Sequence, residues 1–397
     1  PNMVMGTFVW FACRQLKFCQ KCLIGLRNSL MVDKMGFFNF FLGRNKKNRN
    51  SFFERWVWME NGLIRDLLRE NQPAWIVGTN LFESWIQGVE ERCNQSLGRR
   101  LAHAANQSDE ALIPRNLKLN ILTRKSSIDW DELNVDWKHR GLGELSLLDN
   151  SEENLSLLIS FPANEAMCAG FASAAIERYS GTRYRFRWNG TREQSVVVRF
   201  TEDKIEIPTV QVLDVDWLDG DSNVIELEDF KFFENDDYGR ISFMGNRSIF
   251  LHRDLIIRFI QFCEPYVEEL FSGHINQYDF SGLSKSDQLI WTAMADSLRE
   301  ATFNMGFHVM ISKSDDWLNV GSRFLSDSGL GSIESVTLID EHGGVEFILN
   351  GCFHPALAGG VLLSCWERAY GRRGCLKCNM KGGIVHLIIS SSVELSN

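Results

Sequence analysis

Near the C-terminus, Cys375 and Cys378 form a C-x-x-C pair, and His386 follows after Gly382. Two thiolates and an imidazole are ligands that tetrahedral Zn²⁺ prefers. Gly382 suits a turn, so a hairpin with His386 on its second strand would draw the three side chains together. A closed structural site needs a fourth ligand. Cys352, at the entry to an apolar segment leading back to Cys375, is the candidate. The same residues also read as small buried hydrophobes beside a strand histidine with a satisfied ring. Upstream, Cys19 and Cys22, with Cys13, have no His or fourth Cys at finger spacing and read as incidental. Asp214, Asp216, Asp219 and Asp221 resemble a calcium loop, but Leu218 occupies the fifth position and Gly220 comes one residue late. A solvated acidic connector is the expectation there.

Catalytic constellations do not stand out. There is no nucleotide-binding glycine fingerprint or Ser-His-Asp set, and His103 and His139 lack an acid or base partner at readable spacing. The reading leans away from an enzyme. With 397 residues, 44% hydrophobic and 23% charged, the chain has ample apolar surface to fold as two or three domains. Its net charge of −9 argues against a general nucleic-acid binder, because phosphate binding needs a basic face. The longest apolar run, Met3 to Cys13, is stopped by Arg14 before it could span a bilayer. Ten cysteines without a cleavable signal read as reduced thiols, hence a cytoplasmic protein.

The elements that must position these residues come from an internal duplication. GLGELSLLDN from Gly141 matches GLGSIESVTLID from Gly329. Glu-Arg-x-x-Gly-x-Arg recurs at Glu177, Arg178, Gly181, Arg183 and at Glu367, Arg368, Gly371, Arg373. Asp129-Trp130 with Leu133-Asn134-Val135 corresponds to Asp316-Trp317 with Leu318-Asn319-Val320, in the same order. Each copy is expected to open with a long helical segment (Glu54 to Leu101; Leu251 to Met310), followed by short strands. An apolar helix comes next (Glu165 to Tyr179; Pro355 to Tyr370), stopped by Gly181 or Gly371, and a strand pair closes the copy. The expected fold class is α+β, two tandem copies of a helix plus antiparallel-sheet domain forming a pseudo-dimer. The boundaries are a 1–53 leader, a first domain at 54–200, an acidic connector at 201–246 and a second domain at 247–397. Met35 is the expected initiator. The aromatic residues after it and the basic tract Arg44, Lys46, Lys47 and Arg49 suit weak membrane-surface contact.

The block from Asn350 to Ile389 resembles the 4-vinyl-reductase, or hydrocarbon-binding, domain family, which is related to the transport-particle (TRAPP) subunits of vesicle tethering. Zinc-containing members carry a Cys before a glycine-rich apolar helix, then Glu-x-x-Cys-x3-Gly-x3-Cys. Here Cys352, Gly359-Gly360, Cys375, Cys378, Gly382 and His386 overlay that pattern, with Cys375 where the family often has Glu and His386 where it has Cys. The resemblance implies one structural Zn²⁺ on Cys352, Cys375, Cys378 and His386. It implies a metal-free first copy, where Arg185, Trp188, Arg192 and Val196 take those positions. It further implies a pocket for a small apolar or aromatic ligand, with His308 and Trp317 near its wall. The function it points to is a ligand-binding sensor or carrier. An assembly scaffold with a protein partner and a reductase-type enzyme are the other two readings.

Overall fold

Trp56–Trp58 (β1) and Ile64–Asp66 (β2) form a hairpin that leads into Gln72–Gly78 (β3). Three helices follow, Thr79–Cys93 (α1), Gly98–Leu112 (α2) and Trp130–Arg140 (α3). Next come a hairpin, Glu144–Asn150 (β4) with Leu155–Ser160 (β5), the helix Glu165–Ser180 (α4), and a second hairpin, Arg183–Gly190 (β6) with Ser195–Asp203 (β7). A second run begins with Phe233–Asn235 (β8), Ile241–Phe243 (β9) and Asn246–His252 (β10). It continues through Arg253–Cys263 (α5), Tyr278–Asp279 (β11), Lys285–Asn304 (α6) and Asp316–Phe324 (α7). It ends with Gly331–Leu338 (β12), Val345–Cys352 (β13), Pro355–Tyr370 (α8), Gly374–Lys381 (β14) and Ile384–Ser391 (β15).

This computed structural model describes residues 52, 54–112, 130–150, 155–191, 194–203, 205–207, 209–225, 233–236, 238–271 and 273–393. The chain divides into two compact units, Pro1–Phe52 and Phe53–Asn397, and all the described residues except Phe52 belong to the second. Met35, the leader's basic tract, Cys13, Cys19, Cys22 and Arg192 lie outside the described residues.

The fold is α+β, with three sheets. One runs β1-β2-β3-β10-β9-β8, one β4-β5-β7-β6, and one β11-β14-β15-β13-β12. All described pairings within the sheets are antiparallel except β11 with β14. At the centre of the first sheet β3 pairs with β10, placing Ile76 opposite Phe250 and Gly78 opposite Ser248. Both strands are buried along most of their length, which accounts for their unbroken apolar runs. The expected helix from Glu54 to Leu101 is therefore corrected. Its first part is three strands, because a short, wholly buried apolar run has no period that separates strand from helix. Likewise, Leu251 to Met310 is two helices separated by residues 264–284. The expected connector 201–246 contributes β8 and β9 to the first sheet.

Helices α4 and α8 are buried on every side over most of their length, as core helices are. Small residues let neighbours approach closely. A Cβ on Gly170 would stand 2.0 Å from the Ala102 carbonyl oxygen of α2, and one on Gly360 would stand 2.4 Å from that of Ala295 on α6. The first helices cross over: α1 packs on α6, and α5 packs on α2. Gly-Leu-Gly crosses over as well. Gly141 and Gly329 have φ of +75° and +83°, and a Cβ on either would meet a backbone oxygen 2.4 Å away, that of Ser248 on β10 and that of Ala74 on β3 respectively.

The recurrent Glu-Arg-x-x-Gly-x-Arg block is an anchor between helix and strand. Glu177 accepts from Asn106 Nδ2 (3.1 Å), Arg183 Nη1 (2.8 Å) and the backbone N–H of Tyr184 (2.9 Å). Glu367 accepts from Arg299 Nη1 (3.0 Å) and the backbone N–H of Gly374 (3.2 Å), with Arg373 Nη1 at 3.9 Å. Gly181 and Gly371 close the two helices in the left-handed conformation, each N–H donating to the carbonyl of that same Glu.

Candidate functional site

Strand geometry brings Cys352 near Cys378 but sets Cys375 and His386 apart from them. Side chains alternate faces along a strand, so Cys375 and Cys378, three positions apart on β14, point to opposite sides of the sheet. Cys378 and Cys352 are buried, whereas Cys375 is only partly so. His386 pairs in register with Asn379, which puts it on the Cys375 face but four strand positions away, about 13 Å. Its Nδ1 meets Glu346 Oε1 at 2.9 Å. Burial pushes the Cys378 thiol up to about 12, and burial with Cys378 nearby raises that of Cys352. Such protonated thiols act as small hydrophobes. Among the described residues, no three His, Cys, Asp or Glu side chains are grouped so as to hold a metal ion. The residues present therefore do not fit the tetrahedral Zn²⁺ read from the spacing.

The two expected ligand residues also separate. Trp317, at the start of α7, is fully buried and sets its ring edge-on to Phe347 at 5.2 Å. His308 is exposed in the loop after α6. Neither lines the cavity described next, although Phe307 does.

That cavity, about 470 Å³, lies between the central strand pair and the end of α6. Its size is typical of small-ligand pockets. Trp75 and Ile76 of β3, Phe243 of β9, Leu298 of α6, Phe324 of α7 and Val361 of α8 supply apolar wall, so residues from both runs enclose it. Two of its lining residues carry buried polar atoms without a hydrogen-bond partner, Arg247 Nε and Thr302 Oγ1. Arg247 Nη2 donates to the Phe161 carbonyl. The Arg323 guanidinium, also in the lining, lies over the rings of Phe324 (4.9 Å) and Phe307 (5.3 Å). Glu83 is the one lining carboxylate among the described residues, and burial raises its pKa while Arg247 lowers it. The lining serines are committed to backbone: Ser248 Oγ donates to Asn246 O, and Ser328 Oγ to Leu325 O. The chemistry available is a mainly apolar cleft with the arginines Arg247 and Arg323 in its lining, suited to an apolar or aromatic body bearing an acceptor group.

A second polar feature is internal to the core. Arg55, Arg69 and Arg140 interleave with Asp66, Asp109 and Asp136 at 2.7–2.9 Å, and His252 Nε2 meets Asp66 at 2.9 Å. Every one of these side chains is at most 5% exposed. The arginines hold Asp66 and Asp136 far below the usual carboxylate range, while burial pushes His252 down to about 4. Three cations facing three anions leave no charge to offer a ligand, so the cluster ties the residue before β1 to β2, α2, α3 and β10.

Sequence reasoning missed Arg247, Thr302 and Arg323. Each sits alone in its segment, and only the fold brings them to one cavity. The Gly-Leu-Gly repeat could have pointed there, since Leu330 lines the wall. Comparison with protein-family models, with curated proteins and with solved structures returned no match. No described helix is long and apolar enough to cross a membrane.

Proposed function

We propose that this chain is a ligand-binding protein, a sensor or carrier, built as a fused pseudo-dimer of one duplicated α+β domain. It holds a small apolar or aromatic molecule bearing a carboxylate or similar acceptor. The cavity carries this reading: mainly apolar walls line about 470 Å³, and Arg247 stands in the lining. The guanidinium stays charged at neutral pH and would pair with an anionic head, while Trp75, Leu298 and Phe324 pack the body. Support for the pseudo-dimer comes from the matching strand orders β4-β5-β7-β6 and β12-β13-β15-β14, and from the reciprocal crossing of α1 and α5. The ligand is bound without turnover, because neither His nor Cys lines the cavity beside the single carboxylate among the described residues.

Native mass spectrometry and Trp fluorescence with a panel of medium-chain and aryl carboxylates test the proposal. Binding by at least one class is expected, weakened at least tenfold by Arg247→Met and abolished by Leu298→Trp, which fills the cavity. No binding, or binding indifferent to both substitutions, overturns it.

A further inference from the structure

The two strand orders match except at one edge. In the second sheet-and-helix run β14 is not an edge strand, because β11 adds to it in parallel, Tyr278 beside Leu376 and Asp279 beside Lys377. The segment around β11 fills the groove between β14 and α6. Tyr278 Oη donates to Asp296 Oδ1 (2.8 Å), Asp279 meets Lys377 Nζ (3.1 Å), and the buried Phe280 sets its ring 5.6 Å from Trp291. In the first run β6 has no neighbour on that side among the described residues. The reason lies in the connection. Residues 264–284 link α5 to α6, but only residues 94–97 link α1 to α2, too few to supply a covering strand.

Among the described residues the counterpart is a cavity of about 1020 Å³ that wraps the outer edge of β6 and runs against α2. The spacing between Glu177 and Glu367, Gly181 and Gly371, and Arg183 and Arg373 places Phe186 and Arg187 where Leu376 and Lys377 stand. Five arginines line the cavity, Arg99, Arg183, Arg185, Arg187 and Arg199, against two carboxylates, Glu177 and Asp203. Both carboxylates are already paired, with Arg183 and Arg185. Arg99, Arg187 and Arg199 make no ion pair among the described residues. This basic groove sits on a chain whose net charge is −9. Charged side chains alone would guard an edge against pairing. Here they surround an unfilled groove whose counterpart is filled by a strand with an acidic residue between two aromatics.

We propose that the free edge of β6 is a docking site for an extended acidic segment of a partner protein, added as a parallel strand beside Phe186 and Arg187. Main-chain hydrogen bonds to the edge give affinity, and alternate side chains give specificity. An Asp or Glu of the segment meets Arg187, as Asp279 meets Lys377. An aromatic neighbour packs towards Phe186 and His103, whose rings lie 5.6 Å apart. A second copy of this chain is a poor occupant, because β6 against β6 would oppose arginine to arginine. The proposal rests on the correspondence of the two sheets and is independent of the ligand cavity.

The test is panning of a random nonapeptide display library on the immobilised full-length chain. Enrichment of sequences with Asp or Glu beside an aromatic is expected. For a selected peptide, Arg187→Glu in the protein, reversal of the peptide's acid to Lys, and N-methylation of one ladder amide should each weaken binding at least tenfold. Combining Arg187→Glu with the Lys peptide should restore most of it. Arg187 is exposed, so the substitution leaves the fold intact, and unchanged thermal melting checks this. Absence of acidic enrichment, or binders indifferent to both Arg187→Glu and N-methylation, overturns the proposal. A short oligothymidylate that binds in an Arg187-dependent manner while no acidic peptide does also overturns it and reassigns the groove to single-stranded nucleic acid.

Discussion

The two runs of the chain solve the same structural problem with different chemistry. In both, a buried Glu at the end of the core helix gathers the following strand and the neighbouring long helix. The first run answers Glu177 with neutral Asn106 and with Arg183, which is 19% exposed. The second answers Glu367 with Arg299, 4% exposed. A different pair of groups starts the core helices. Asn164 Oδ1 accepts from Met167 N at 3.0 Å, whereas His354 Nδ1 accepts from Ala356 N at 3.2 Å. One scaffold therefore tolerates a Glu anchor paired with a partly exposed arginine and an amide or one paired with a buried arginine, each completed by a backbone N–H.

The largest difference between the runs should come from removing that Glu. Glu367→Gln leaves Arg299, 4% exposed, with Asp296 alone (2.9 Å), a carboxylate it shares with Arg92, and is expected to cost about 3 kcal/mol in urea unfolding. Glu177→Gln should cost about 1–2 kcal/mol, because Arg183 reaches solvent and keeps Glu110 at 3.4 Å. Equal losses would mean that the exposure of the partner arginine does not matter.

Next come the close helix crossings. Gly170→Ala and Gly360→Ala each force a methyl group onto a backbone oxygen, so each should lower stability by about 2 kcal/mol. Denaturation midpoints would show whether the two crossings are equally tight.

A smaller effect separates the helix starts by pH. Burial, with Arg253 nearby, pushes His354 down to about 3, from about 6.5 in an unfolded chain. As pH falls, the unfolded chain takes up the proton first, so this contribution is full above pH ~6.5 and is lost progressively from there towards pH ~3. His354→Asn installs the first run's cap and should remove about 1–1.5 kcal/mol of the stability lost between pH 7 and 5.5. His252, held at about 4, leaves a residual slope in the variant. Melting temperature against pH for the two proteins reads the difference.

The smallest effect, and the one expected to be equal, is at the helix ends. No atom lies within 4 Å of a Cβ placed on Gly181 or Gly371, so an alanine there pays only for its left-handed backbone, about 1 kcal/mol. Unequal losses, read from thermal melts, would show that the two ends are not equivalent.

Much of this architecture is legible in local sequence. The glycine stops, the limits of α4 and α8, the closing strands of each run and the order of the repeated blocks all depend on neighbours within a few positions. Backbone sterics and side-chain period act at that range. The zinc spacing marks the limit of such local reading. Spacing says that Cys375 and Cys378 are near in sequence, but an extended β14 turns the i and i+3 side chains to opposite faces, and the chain can chelate through them only if it bends there.

What lay beyond local pattern was every contact between distant segments. Gly141 lies against Ser248 and Gly329 against Ala74 because the two runs exchange their first helices and pair β3 with β10. Arg247, Thr302 and Phe324 become one cavity wall, and Arg99 and Arg187 one basic groove, through that same packing. Hydrophobic burial selects which faces meet but is non-directional, so the partner of each face is settled only when the whole core closes.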